Sequence, residues 1–313
     1  MRSAELSTFF EQLESELSSI PNELRRLFHG RGRCWEGLEQ ITADWLQGQL
    51  VVQVFKQPEA QFIDALRQGL IDFSQSAVWE KQQGKTIVLQ HRYQEGAPAE
   101  VVIGDLNSSP VVVENGIRYQ LDVGRNQNFG LFLDMRYGRD WVKERSKDKK
   151  VLNLFSYTCG FSLAAIAGGA KQVVNLDMAK ASLNKGRQNH RLNEHDTSKV
   201  SFLAHDLFKS WGKLKKFGPY DLIIIDPPSF QKGSFALTKD YQKILRRLPD
   251  MLTEKGLVLA CVNSPSVSEQ FLIDSMKEQA PQIEYQYRLD NPPEFKDINS
   301  QASLKAMVFA LNK

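Results

Sequence analysis

The stretch Tyr-Asp-Leu-Ile-Ile-Ile-Asp-Pro-Pro-Ser-Phe at 220–230 constrains the fold more than any other part of the chain. Four consecutive apolar residues at 222–225, mostly β-branched, read as a strand covered on both faces, the situation of a central strand in a parallel sheet. Asp226 ends the run. Two prolines follow, and with fixed φ and no N–H they carry the chain out of the sheet in a rigid, extended form. Open α/β sheets bind ligands beyond the carboxyl ends of their strands. An acid, a Pro-Pro carbonyl and an aromatic ring delivered there (Asp226, Pro227, Phe230) suit a planar, hydrogen-bonding substrate. A strand followed by a plain proline turn is the simpler alternative. The Asp-Pro-Pro-x-Phe grouping favours function over it.

The neighbouring sequence supplies the rest of such a sheet. Strand patterns at 151–157, 172–178, 199–206, 220–226 and 256–263 alternate with helix patterns at 160–168, 179–192, 207–214, 236–252 and 267–279. This alternation predicts an α/β fold with helices on both faces of a parallel sheet. Strands at 283–289 and 305–311 have no helix between them and predict an antiparallel ending. Upstream, residues 4–28 read as a helix interrupted at Pro21, with 23–28 continuing it. A β-rich region follows, with strands at 41–45, 49–55, 86–91, 101–103 and 111–113 and one helix at 59–73. Residues 141–150 read as a basic helix. The predicted organisation is a small N-terminal α+β domain over 1–115 and an α/β domain over 116–313.

Charge divides along similar lines. Residues 1–124 carry 11 Lys/Arg against 17 Asp/Glu, and residues 125–313 carry 29 against 20. The basic half suits a polyanionic partner. No apolar run approaches the ~20 residues of a membrane helix, so no membrane contact is expected. The N-terminus lacks a signal-peptide core, and the three cysteines are far apart, which points to a reducing cytoplasm. The five histidines show no metal-ligand spacing, so no metal is expected. The glycine-punctuated basic turn Phe-His-Gly-Arg-Gly-Arg at 28–33 reads either as a phosphate contact or as a solvated loop.

Polar groups fall at the end of each predicted strand in turn: 153–160, Asp177, His205 with Asp206, Asp226, and 263–265. The turn Phe155-Ser156-Tyr157-Thr158-Cys159-Gly160 occupies the place of a dinucleotide-binding G-x-G-x-x-G, yet only Gly160 remains. A diphosphate needs close backbone approach, so the loop argues against NAD and suits a smaller, less anionic ligand. Asp177 can accept hydrogen bonds from ribose hydroxyls. Asp206 can accept from an adenine amino group, with the Leu207 backbone beside it. Each aspartate can equally cap the helix that follows.

These motifs resemble the class I S-adenosylmethionine-dependent methyltransferases, and within them the branch that modifies large-subunit ribosomal RNA at cytosine C5 or guanine N7. The resemblance rests on Phe-Gly-Leu-Phe-Leu-Asp-Met-Arg at 129–136, Val-Leu-Asn-Leu-Phe-Ser-Tyr-Thr-Cys-Gly-Phe-Ser at 151–162, Asn-Leu-Asp at 175–177 and Asp-Pro-Pro-Ser-Phe at 226–230. It implies a Rossmann-like seven-stranded sheet of order 3-2-1-4-5-7-6 with the last strand antiparallel. It implies S-adenosyl-L-methionine as cofactor. The loop Phe155, Ser156, Tyr157, Thr158, Gly160 would hold the methionine part, Arg136 its carboxylate, Asp177 the ribose, and Asp206 with Leu207 the adenine. Asp226 and Pro227 would face the methyl group and the target base.

The chain departs from that branch at three places. Cys159-Gly160 replaces Gly-Gly, and Asp134-Met135-Arg136 replaces Asp-Gln-Arg. Asn263 stands where the cytosine-C5 members place a nucleophilic cysteine, with Cys261 two residues earlier. C5 becomes nucleophilic only after a thiolate adds at C6. The expectation is therefore direct methylation of a base nitrogen in ribosomal RNA, with Asp226, Pro227 and Phe230 at the reacting base. A methyltransferase acting on a small molecule or protein, and a non-catalytic cofactor-binding module, are the alternatives.

Overall fold

The computed structural model describes residues 1–124, 128–228, 230–231 and 235–312, the pairs 230–231 and 235–236 as backbone only. The chain divides into two compact units, Met1–Leu133 with Pro292–Ser300, and Asp134–Asn291 with Gln301–Lys313.

In the first unit, helix α1 (Leu6–Ser19) buries Leu6, Phe9, Leu13 and Leu17, which share one face at helical spacing. It ends two residues before Pro21. The expected helical continuation at 23–28 is instead strand β1 (Arg25–His29). Leu24, Leu27 and Phe28 fit helical spacing, but Pro21 severs the helix and β1 pairs antiparallel with β2 (Ile41–Trp45) through a bulge between Arg26 and Phe28. Strand β3 (Gln49–Val54) pairs with β2 and lies parallel to β4 (Thr86–His91), reached through helices α2 (Ala60–Phe73) and α3 (Ala77–Lys81). Strand β5 (Ala99–Ile103) closes the five-stranded sheet, and β6 (Val111–Glu114) with β7 (Ile117–Gln120) forms a separate hairpin. The segment at Pro293–Phe295 belongs to this unit although it lies far along the chain.

The second unit opens with helix α4 (Arg136–Arg145), five residues ahead of the expected 141–150. Then come β8 (Lys150–Leu154), α5 (Gly160–Ala167), β9 (Gln172–Asp177), α6 (Lys180–Leu192), β10 (Val200–Ala204), α7 (Trp211–Phe217) and β11 (Tyr220–Ile225). A two-strand ribbon, β12 (Phe230–Gln231) with β13 (Phe235–Ala236), leads to α8 (Leu237–Leu245), β14 (Leu252–Val262), α9 (Glu269–Gln279), β15 (Ile283–Arg288) and β16 (Lys305–Leu311). The sheet order is β10-β9-β8-β11-β14-β16-β15. Only β16 runs antiparallel to its neighbours. Numbered within the sheet this is 3-2-1-4-5-7-6, the expected order.

The central strand behaves as its composition requires. Ile223 and Ile225 enter one core with Leu152, Leu154, Val258 and Ala260. Leu222 and Ile224 enter the opposite core with Val151, Leu259 and Cys261. Successive side chains point to opposite faces, so a four-residue apolar run needs cover on both. Each buried Leu or Ile contributes roughly 1.5–3 kcal/mol. This is what anchors the strand end that carries Asp226.

Candidate active site

Strand register brings the polar ends to one edge. Ala204 pairs with Asp177, Leu176 with Leu154, Ile225 with Leu154, and Ile225 with Ala260. The residues just beyond β10, β9, β8, β11 and β14 therefore leave the sheet side by side. From β10 to β11 is three inter-strand spacings, about 14 Å.

The loop after β8 is wound tightly. Phe155, Tyr157 and Cys159 have φ of 56°, 48° and 65°, the left-handed region that glycine usually occupies. Each such non-glycine conformation costs of order 1 kcal/mol or more, and such strain gathers at ligand sites. The Ser156 N–H donates to the Leu176 carbonyl (3.1 Å), the Tyr157 N–H to Asp177 Oδ2 (2.8 Å) and the Cys159 N–H to the Ser156 carbonyl (2.7 Å). The loop and the end of β9 thus form one hydrogen-bonded piece. Thr158 is buried and Gly160 opens α5.

Cys159 shows how the chain accommodates its departure from Gly-Gly. The residue is fully buried, and burial pushes its thiol well above the usual range, so it is inert. Opposite it, α6 presents Gly186, where a Cβ would meet Cys159 Sγ at 2.4 Å and its Cβ at 2.8 Å. The missing side chain on α6 makes room for the extra one in the loop.

Asp177 and Asp206 serve locally as well. Asp177 Oδ1 accepts from the Ala179 N–H (2.8 Å), so each of its oxygens holds one backbone donor and keeps acceptor capacity. Asp206 Oδ1 accepts from the Phe208 N–H (2.9 Å), capping the short turn at Leu207–Lys209, and Leu207 is buried beside it. The capping reading is therefore correct for Asp206, and Lys209 Nζ lies 3.8 Å from its second oxygen. Arg136 begins α4, its guanidinium 4.8 Å from the Tyr137 ring centroid.

Asp226 is half-buried, and among the described residues no hydrogen bond fixes its carboxylate. Desolvation, then repulsion from Asp134, push its pKa up to about 7, with the Arg139 cation pulling the other way. Its backbone is held firmly. Tyr241, buried on α8, reaches the carbonyls of Ile225 (3.3 Å) and Cys261 (3.1 Å), bridging β11 and β14 one residue before Asp226. Pro227 is buried and Pro228 exposed. The Phe230 side chain lies outside the described residues. Cys261 is buried within β14, and burial followed by the charges of Asp226 and Asp134 holds its thiol well above its usual range. Asn263 is exposed just past the strand end, and Lys305 Nζ donates to the carbonyl of the next residue, Ser264 (3.1 Å), and to those of Gln301 and Ser303.

Sequence spacing gave no sign of a buried polar chain behind the loop. Asn153 donates to Asn175 (2.9 Å), and Asn175 to Ser162 Oγ (2.9 Å). Ser162 Oγ meets His190 Nε2 (2.9 Å), and His190 Nδ1 meets His195 Nδ1 (3.0 Å). Burial keeps both histidines neutral, His190 with a pKa lowered to about 3. Four separate elements, β8, α5, β9 and α6, must fold before these groups meet.

An edge carrying the carboxylates of Asp134, Asp177, Asp206 and Asp226 favours a cationic ligand with hydroxyl and amino donors over a diphosphate. The family profile of the S-adenosylmethionine-dependent methyltransferases matches residues 25–310. The chain belongs to this family. A Bacillus subtilis (strain 168) protein, YwbD, provisionally named a ribosomal RNA large subunit methyltransferase, is 32% identical over 88% of this chain and 70% of its own length. Ribosomal RNA large subunit methyltransferase I of Aeromonas salmonicida is 36% identical over 58% of this chain, which spans 46% of that relative. Among solved structures, SMU.776 in complex with SAH superposes with a TM-score of 0.79 at 25% identity, over 98% of this chain and 79% of that one. A provisionally named methyltransferase from Streptococcus mutans superposes with a TM-score of 0.82 at 23% identity, over 98% and 81%, a likeness of fold. The methyltransferase's cofactor is S-adenosylmethionine. Among the described residues, no helix is long and apolar enough to cross a membrane.

Proposed function

We propose that this methyltransferase transfers a methyl group directly to a base nitrogen of ribosomal RNA in the cytoplasm. The observation that carries the reading is Asp226: a rigidly mounted carboxylate, free of hydrogen bonds among the described residues, with a pKa of about 7. A base nitrogen that bears hydrogen must lose a proton as it gains a methyl group. An acceptor poised near neutrality, at the strand edge where ligands bind, suits that task.

S-adenosylmethionine, when bound, supplies a methyl group already activated by its sulfonium. The chain's part is alignment. The loop of Phe155, Ser156, Tyr157, Thr158 and Gly160 would hold the methionine portion, with Arg136 at its carboxylate. Asp177 would take the ribose hydroxyls, and Asp206 with the Leu207 backbone the adenine. Asp226 and the Pro227 carbonyl would accept from the amine edge of the base, and Phe230 would wall its ring. A flipped base held in this way brings nucleophile and methyl group within near-attack range, roughly 3–3.5 Å.

Cytosine-C5 chemistry is disfavoured. It requires an accessible thiolate, and Cys261 is buried inside β14 with its thiol held protonated. The names of the ribosomal RNA relatives support the choice of substrate class. The direct test is Asp226→Ala. Calorimetry should show S-adenosylmethionine binding within a few-fold of wild type, and transfer to ribosomal RNA should be lost. Transfer at near wild-type rate would refute the assignment.

A further inference from the structure

The basic turn of the N-terminal unit is closely packed by backbone. A Cβ on Gly30 would stand 1.9 Å from the Leu38 carbonyl oxygen, and one on Gly32 would stand 1.9 Å from that of Lys296. Backbone packing on both sides therefore demands these glycines. Arg31, exposed between them, projects from a fixed support. Its guanidinium lies 4.5 Å from the centroid of the Phe55 ring, and that of Arg92 lies 5.0 Å from the same ring. Phe55 and Arg92 are the first residues past β3 and β4, parallel strands with Val54 opposite His91, so both emerge at one end of the sheet. The Arg92 N–H donates to the Val54 carbonyl (2.8 Å) and the Phe55 N–H to that of Gln40 (2.9 Å).

Asp44 pairs with Arg26 and Asp297 with Arg33. Among the described residues, neither Arg31 nor Arg92 has a carboxylate partner. Each loses proton affinity through desolvation, and each through a positive neighbour, Arg26 acting on Arg31 and Arg31 on Arg92. Two cations crowded on one ring repel each other, and an anion between them would relieve that. Exposed Lys56 follows Phe55. The surrounding sequence is acidic overall, so this is a local positive spot on a negative body.

We propose that Arg31, Phe55 and Arg92 form a docking point for single-stranded RNA, the guanidinium forks taking phosphates and the ring a neighbouring base. This rests on the RNA substrate proposed above. Aromatic stacking combined with arginine contacts is how single strands are held, whereas a duplex hides its base faces. An acidic protein would use the charges and leave the ring unexplained.

The test uses the full chain and fluorescence anisotropy with a short single-stranded RNA, the matching duplex, and polyglutamate. Arg31→Gln and Arg92→Gln should each weaken single-strand binding about tenfold. The double variant should flatten the salt dependence of log affinity by about 1.4, two contacts at about 0.7 each. Phe55→Leu should weaken it roughly five- to a hundredfold with the salt slope unchanged. Melting temperature and S-adenosylmethionine affinity should match wild type in the variants chosen for comparison. Arg31→Lys, which keeps charge and fold, should retain the slope and lose part of the affinity. If wild type binds the single strand and correctly folded variants bind equally well, the docking point is refuted while the RNA reading stands. If wild type neither binds nor methylates RNA, both fall. Loss confined to the duplex or to polyglutamate also overturns the proposal.

Discussion

The titration of Asp226 makes the sharpest prediction. Moving a carboxyl from 3.8 to about 7 means its ionisation costs roughly 4 kcal/mol more in place than in water. If the ionised form accepts the proton of the reacting base, transfer should rise about tenfold from pH 6 to pH 8, since the ionised fraction grows from about a tenth to about nine tenths. The neighbours fix the direction of further change. Asp134→Asn removes a like charge that raises the pKa, so the inflexion should move to lower pH. Arg139→Gln removes the cation that lowers it, so the inflexion should move to higher pH. Single-turnover transfer from methyl-labelled S-adenosylmethionine to ribosomal RNA, between pH 5.5 and 9, measures all three profiles. A flat wild-type profile, or an inflexion that rises in Asp134→Asn or falls in Arg139→Gln, would refute proton acceptance by Asp226.

The same carboxylate trades stability for activity. A raised acid pKa removes stability as pH climbs from 3.8 through about 7, so Asp226→Asn should be more stable than wild type at pH 8, by at most roughly 4 kcal/mol, with the gain vanishing below pH 4 in urea unfolding. His190 has the opposite sign: its pKa is lowered from 6.5 to about 3, so its stabilisation is complete above 6.5 and is lost as pH falls towards 3, by about 1.4 kcal/mol per pH unit. His190→Gln should flatten that acid limb. Gly186→Ala should destabilise the protein by about 1–3 kcal/mol through overpacking against Cys159, and Cys159→Gly should recover much of the loss in the double variant, leaving the Thr158 carbonyl at 3.0 Å as the residual contact. Independent effects of the two substitutions would contradict the complementary packing.

The catalytic sheet was legible because its strands carry their own signal. The apolar run at 222–225 needs two covered faces, and the alternation around it leaves little choice of topology. The loop after β8 was legible in reverse: Phe155, Tyr157 and Cys159 stand where glycines were expected, and all three adopt glycine-like φ. Local spacing misled at β1, where Leu24, Leu27 and Phe28 mimic a helix and only pairing with β2 makes a strand. It was silent on the Pro293–Phe295 segment, which joins the first unit through tertiary contacts alone, and on Gly186, whose reason is a cysteine 27 positions earlier. The environment of Asp226 was invisible for the same reason. Asp134, Arg139 and Tyr241 reach it from helices and turns that the strand motif does not contain.

Mass spectrometry of nucleosides identifies the atom that receives the methyl group. Purified protein is incubated with unmodified large-subunit ribosomal RNA and S-adenosylmethionine carrying an isotopic methyl label, and the RNA is digested to nucleosides. Label is expected on a base nitrogen, absent with Asp226→Ala and never trapped as a covalent protein–RNA adduct. Label at a pyrimidine C5, on ribose or on protein, or no label in RNA at all, would contradict it.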